Sequence, residues 1–198
     1  MQIVLRDDDP RCETLALEGW SVVERSWAAH LDVRDLNVEA LTRYVARVQS
    51  SWSVRELGVT DVPAALALDL LTRDDYPGGA ATRHTPLDSV TALPNPKRRA
   101  FGVFDSHDLL VAMTYADIDG NEAEVDFTVV RADLRRLGLG LAVKAASILA
   151  LARAGVKTMR TGGADGNAAI LTANDRVGFI LDEHWLTFEL IEHVPESV

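Results

Sequence analysis

A chain of 198 residues with 47% apolar content can bury one substantial core, and two full domains would be cramped in it. Its formal charge of −10, from thirty Asp and Glu against twenty Lys and Arg, opposes nucleic acid and anionic membranes and favours a cationic small-molecule or peptide amine as partner. A single cysteine, Cys12, excludes an intrachain disulfide, and the five scattered histidines lack the short spacing of metal ligands, so no metal is expected.

No charged start, apolar run and small-residue cleavage site marks the first residues as a signal peptide, so the cytoplasm is the expected compartment. Residues 2–5 read as a strand, 10–17 as a helix, 21–31 as an extended stretch and 37–48 as a connecting helix. Leu17-Glu18-Gly19-Trp20 echoes Arg176-Val177-Gly178-Phe179 between a helix and a strand. Residues 1–50 are therefore expected to be an N-terminal extension, either the remnant of a preceding copy of the module in 51–198 or an unrelated appendage.

From 52 to 57 the pattern is a strand, and Thr60, Asp61 and Pro63 open a helix running to about Arg73. The turn-rich stretch Asp74-Asp75-Tyr76-Pro77-Gly78-Gly79 follows, and Thr85-Pro86 predicts a second short helix that stops before Pro94 and Pro96. Strands at 101–105, 109–117 and 122–130, with short connections, predict an antiparallel meander. The period then changes. Residues 141–153 predict a helix closed by Gly155, and 156–161 a strand broken by Gly162-Gly163. A helix from Asn167 to about Gly178 and a strand at 185–191 complete an α/β fold, a mixed sheet with helices on both faces. Lys144 and Arg153 interrupt the longest apolar run well short of the roughly 20 residues that a spanning helix needs.

The turn between the third meander strand and the next helix, Arg131-Ala132-Asp133-Leu134-Arg135-Arg136-Leu137-Gly138-Leu139-Gly140, concentrates three arginines in an acidic chain. Unpaired N–H groups at a helix N-terminus attract phosphate, and glycines let the backbone approach it. A dinucleotide fingerprint would need a third glycine where Val143 stands, and a P-loop would need Gly-Lys-Ser or Gly-Lys-Thr.

The same turn resembles motif A of the GNAT acetyltransferases. Downstream, Asn167, Ile170, Asn174 and Val177-Gly178-Phe179 stand at that family's spacings, and the element order agrees from about residue 52 to 191, some two thirds of the chain. The resemblance implies a mostly antiparallel sheet with a splayed central strand pair and acetyl-coenzyme A as cosubstrate. It implies main-chain contacts from Thr128, Val129 and Val130, and pyrophosphate contacts from Arg135, Arg136, Leu137, Gly138, Leu139, Gly140 and Leu141. Asn167 would reach the pantetheine or adenylate side, and Asn174 stands where many members carry a tyrosine. Arg131 reads equally as a surface residue.

Transfer of an acetyl group to an amine needs a base, carbonyl polarisation and a proton for the leaving thiolate. Glu124, eleven residues before Arg135, occupies the position of the general base in histone-acetylating members, and Gly162 stands where other members place a carboxylate. Asp126 shares the face of Glu124 if the strand is regular, and either carboxylate could act through a water. The Thr128 N–H is the candidate for the thioester oxygen. Asn174 cannot act as a general acid, which leaves the proton donor open. Asp74, Asp75 and Tyr76 are the polar groups expected at the acceptor pocket, and they also read as a solvated turn. The expected function is therefore N-acetyl transfer, with a catalytically silent acyl-coenzyme A sensor or interaction module as the alternative. The oligomeric state, a homodimer included, is left open.

Overall fold

The computed structural model describes residues 1–75, 82 and 84–190. In chain order the elements are β1 (Gln2–Arg6), α1 (Arg11–Leu17), β2 (Trp20–Asp32), α2 (Val38–Val48), β3 (Ser53–Glu56), α3 (Val62–Thr72) and β4 (Arg98–Phe104). Then follow β5 (Leu110–Asp119), β6 (Glu122–Val130), α4 (Leu139–Arg153), β7 (Thr158–Ala164), α5 (Ala168–Val177) and β8 (Ile180–Leu190). Capping follows the local sequence. The Asn37 side chain accepts from Ala40 N at 2.9 Å and starts α2, and the Asn167 side chain accepts from Ile170 N at 3.2 Å and starts α5.

The strands form one eight-stranded sheet in the order β1-β8-β2-β7-β6-β5-β4-β3, antiparallel except between β6 and β7. On one face α2, α4 and α5 cover a core that includes Trp27, Leu31, Ile148, Met159 and Phe179. On the other, α3 covers Phe104, Met113, Tyr115 and Phe127. Large side chains buried this completely stabilise the fold by about 1.5 to 3 kcal/mol each.

Three expectations are corrected. Residues 1–50 are not an extension outside the core series, because β2 lies between β7 and β8 and pairs with both, so a division at residue 50 would cut the sheet. Thr85-Pro86 opens no helix. The Asp88 carboxylate instead accepts from Val90 N at 2.8 Å and Thr91 N at 2.7 Å, turning the chain before Pro94. Gly162 and Gly163 do not break β7 but continue it, because the indole and carbonyl of Trp27 occupy the space beside them. A Cβ at 163 would lie 2.8 Å from the Trp27 ring, and one at 162 would lie 3.0 Å from its carbonyl oxygen. Tyr76 and Ile191 lie outside the described residues.

Candidate active site

The site begins where two parallel strands part. Among the described residues β6 and β7 pair over only three residues, Glu122 to Glu124 opposite Thr158 to Arg160, and beyond that β7 pairs with β2 alone. The remaining length of β6 thus turns an edge without a sheet partner toward β7, and such backbone groups need a substitute. Over the opening stands the start of α4, whose first N–H groups, those of Leu139, Gly140 and Leu141, have no intrahelical acceptor. Arg136 at φ +65° and Gly138 at φ +87° shape the turn that aims them. A non-glycine residue held in the left-handed region is a strained conformation that clusters at ligand clamps.

Together these elements enclose a cleft of about 1020 Å³. Thr128, Val129 and Val130 of β6 form its floor, and Arg135, Arg136, Leu137, Gly138, Leu139, Gly140 and Leu141 form the rim at α4. Asn167 of α5 lines the opposite wall, and Tyr44 and Arg47 of α2 the near end. The residues marked in the sequence for coenzyme binding are thus brought together, with one exception: Asn174, on α5, is buried and does not line the cleft. Arg135 is committed within the rim, its guanidinium donating to Val130 O at 3.2 Å and to Asp75 Oδ2 at 2.7 Å. Asp75 therefore sits at the cleft beside the arginine turn, Asp74 is exposed to solvent, and Arg131 turns to Asp133 at 2.7 Å.

β6 is not a regular strand. Tyr115 pairs with Phe127 and Ala116 with Val125, which leaves Asp126 as the extra residue of a β-bulge. As a result Phe127 packs on the α3 side while Val125, two residues earlier, packs on the α4 side. Strict alternation would put Glu124, Asp126 and Thr128 on one face; the bulge moves Thr128 to the face of α4 and into the cleft. Glu124 stays on the α3 face opposite Asp117, and Asp126 reaches the same side. There Arg98 clamps Asp126 at 2.6 Å and also holds Asp117. Glu124, in contrast, makes no hydrogen bond or ion pair among the described residues, and its carboxylate is open to a proton. Carboxylates dominate this face: beyond Arg160, the neighbour of Glu124 in β7, stand Asp182 and Glu183.

Two polar groups were missed in the sequence. Asp69 of α3 is buried and accepts from the His84 ring at 2.6 Å and from Leu87 N at 3.1 Å, and the imidazole stacks on Phe127 with centroids 4.1 Å apart. Residues fifteen apart across a loop carry no periodic signal. This pair supports the strand segment just after the bulge, so Asp69→Asn is expected to lower stability by about 1 to 3 kcal/mol, read as a reduced midpoint in urea. The second is Lys144 of α4, 2% exposed and lining the cleft. Burial pulls its ammonium from the usual 10.5 down to about 7. In the sequence it showed only as an interruption of an apolar run. Among the described residues no group of three or more potential metal ligands occurs, and no helix is long and apolar enough to cross a membrane.

No protein-family model and no curated protein matches the chain. Solved structures do. A GCN5-related N-acetyltransferase from Kribbella flavida is 18% identical with a TM-score of 0.65, the match covering 94% of this chain and 66% of that one. A putative GNAT-family acetyltransferase from Novosphingobium aromaticivorans is 20% identical with a TM-score of 0.58, covering 96% and 74%. A tandem GNAT protein from the clavulanic acid biosynthesis pathway is 19% identical with a TM-score of 0.67, covering 94% and 62%. This chain thus spans less than two thirds of the length of some of the proteins it matches.

Proposed function

We propose that this chain, which has the fold of the GCN5-related N-acetyltransferases, transfers an acetyl group from acetyl-coenzyme A to a primary amine by direct attack. The observation that carries the reading is the parting of β6 and β7 beneath the unpaired N-terminus of α4. A pyrophosphate fits the arginine and glycine turn, where the N–H groups of Leu139, Gly140 and Leu141 and the side chain of Arg136 would hold it. The amide-bearing arm fits the strand edges, with Thr128 to Val130 on one side and Asn167 on the other. The thioester then arrives at the bulge from the α4 face.

The acceptor comes from the other face, where five carboxylates (Glu124, Asp117, Asp126, Asp182 and Glu183) stand against two guanidiniums, Arg98 and Arg160, that pair with four of them. Among the described residues this leaves Glu124 as the unpaired anion toward a cationic small molecule or peptide amine. Glu124 takes the acceptor's proton, directly or through a water. Asp126, held by Arg98, shapes the bulge. The β1-α1-β2 unit is read as the remnant of a preceding module, since α1 and α5 both end at a left-handed glycine, Gly19 at φ +88° and Gly178 at φ +100°, before a strand.

The test is calorimetric titration with acetyl-coenzyme A, followed by coenzyme A release with a panel of polyamines, aminoglycosides and peptides. Absence of binding at millimolar coenzyme overturns the reading; binding without release from any amine favours the acyl-coenzyme A sensor. Glu124→Gln is expected to lower turnover on the order of 10²-fold with little change in coenzyme affinity. Asp126→Asn is expected to act differently, weakening the Arg98 clamp and lowering thermal stability along with turnover.

A further inference from the structure

Acyl transfer leaves a thiolate that needs a proton, and Asn174, at the position that the resemblance associates with a tyrosine, is a buried amide with no acidic proton to give. α4 offers another group. It carries Lys144 in an otherwise apolar stretch, and among the described residues the Lys144 ammonium makes no hydrogen bond or ion pair. Its Nζ lies 5.9 Å from the centroid of the Phe179 ring, a weak attraction that does not replace a hydrogen bond. A side chain buried to this extent at the wall of a cleft, with no polar partner, is suited to a partner that comes with the ligand.

Its height in the cleft follows from packing. Gly140 abuts the end of β6, since a Cβ there would lie 3.2 Å from Val130 Cγ2. Farther along, Ala145 and Ile148 pack with Val125 and Ala123, so α4 runs back along β6. Lys144 lies four residues, about 6 Å, beyond Gly140. That is about two residues back along a strand rising ~3.3 Å each, which puts it level with Thr128, next to the bulge.

We propose, on the acetyl-transfer reading above, that Lys144 is the proton donor to the leaving sulfur, so that base and acid stand on opposite faces of the parted strands. The acceptor nitrogen forms its bond to the carbonyl carbon from the Glu124 side. The carbon–sulfur bond breaks toward α4, its electron pair passes to sulfur, and sulfur takes a proton from the Lys144 ammonium. The proton lost by the acceptor leaves through Glu124, and Lys144 is reprotonated from solvent through the cleft.

The charges around the cleft fit this cycle. Arg47, Arg135, Arg136 and Arg176 line it, with Asp75 and Tyr44 as the other titratable groups. In the empty cleft burial disfavours the Lys144 charge. A bound pyrophosphate brings negative charge into the same cleft and moves the lysine toward its charged form, so the donor is loaded when the thioester is in place.

Coenzyme A itself is a probe that needs no acceptor. Its thiol, free at about 8.5 if it resembles a cysteine, can be titrated in the complex by the ultraviolet absorbance of the thiolate. With Lys144 beside the sulfur, the bound thiol should titrate at least one pH unit lower in the wild type than in Lys144→Met. Lys144→Arg should keep much of that depression yet lose transfer on the order of 10²-fold, because a guanidinium holds its proton. Acetyl thioesters of more acidic thiols should recover much of the lost rate in both variants. Coenzyme A that binds and titrates alike in wild type and Lys144→Met overturns the proposal and leaves the proposed function standing. Failure of the wild type to bind coenzyme A overturns both.

Discussion

Gly138→Val is expected to weaken acetyl-coenzyme A binding by at least 100-fold while the protein stays folded. The residue sits at φ +87°, and among the described residues the only atom that a Cβ there would meet within 4 Å is Val48 Cγ1 at 4.0 Å. The obstacle is therefore conformational and not steric. A β-branched residue does not hold this left-handed geometry, so the turn must rearrange at a cost of about 1 to 3 kcal/mol. Rearrangement swings the N–H groups of Leu139, Gly140 and Leu141 away from the point where they converge. Calorimetry measures the loss, and circular dichroism checks the fold. Gly155→Val supplies the control, because that glycine has a similar φ of +102° with open space around it and lies at the far end of α4. It should lose stability and keep its affinity. Gly140→Val is a different experiment, since its side chain would press on Val130 and lift α4 from β6. Unchanged affinity in Gly138→Val would mean that the turn does not hold the phosphates.

Lys144→Met is expected to make the protein more stable, by an amount that depends on pH. The ammonium is held at about 7 in the folded chain against 10.5 when solvated. Between these values the unfolded chain binds more protons than the folded one, so the stability of the wild type rises with pH across that window. Below about pH 7 the folded protein carries the whole penalty of burying this charge. At 1.36 kcal/mol per pH unit the gap sets an upper bound of roughly 5 kcal/mol. Methionine has similar length, no charge and no such dependence. Urea denaturation of both proteins should show a gain of about 2 to 5 kcal/mol for the variant at pH 6, shrinking steadily toward pH 10. A difference that is constant with pH would show that Lys144 titrates as it would in water. Retention of so unfavourable a residue accords with a functional demand on the cleft wall, as stability and activity often oppose each other.

Much of this protein is written locally. Asn37 and Asn167 cap the helices they precede, Gly178 closes α5, and the alternation in 122–130 makes a strand, because each depends on the backbone conformation of a few neighbours. The turn proposed to hold phosphate was legible for the same reason: arginines and glycines at a helix start have their meaning within one turn of chain. The tertiary structure decided the rest. The bulge at Asp126 arises from pairing with β5, and it separates Thr128 from Glu124 onto two faces of the sheet. Arg98 reaches Asp126 across twenty-eight positions, and β2 enters between β7 and β8 from the other end of the chain. Lys144 acquired its altered chemistry only on being buried at the cleft wall, near Phe179. Burial and cross-strand register are properties of what surrounds a residue, and a periodic pattern along the chain records which face is apolar without recording what will stand opposite it.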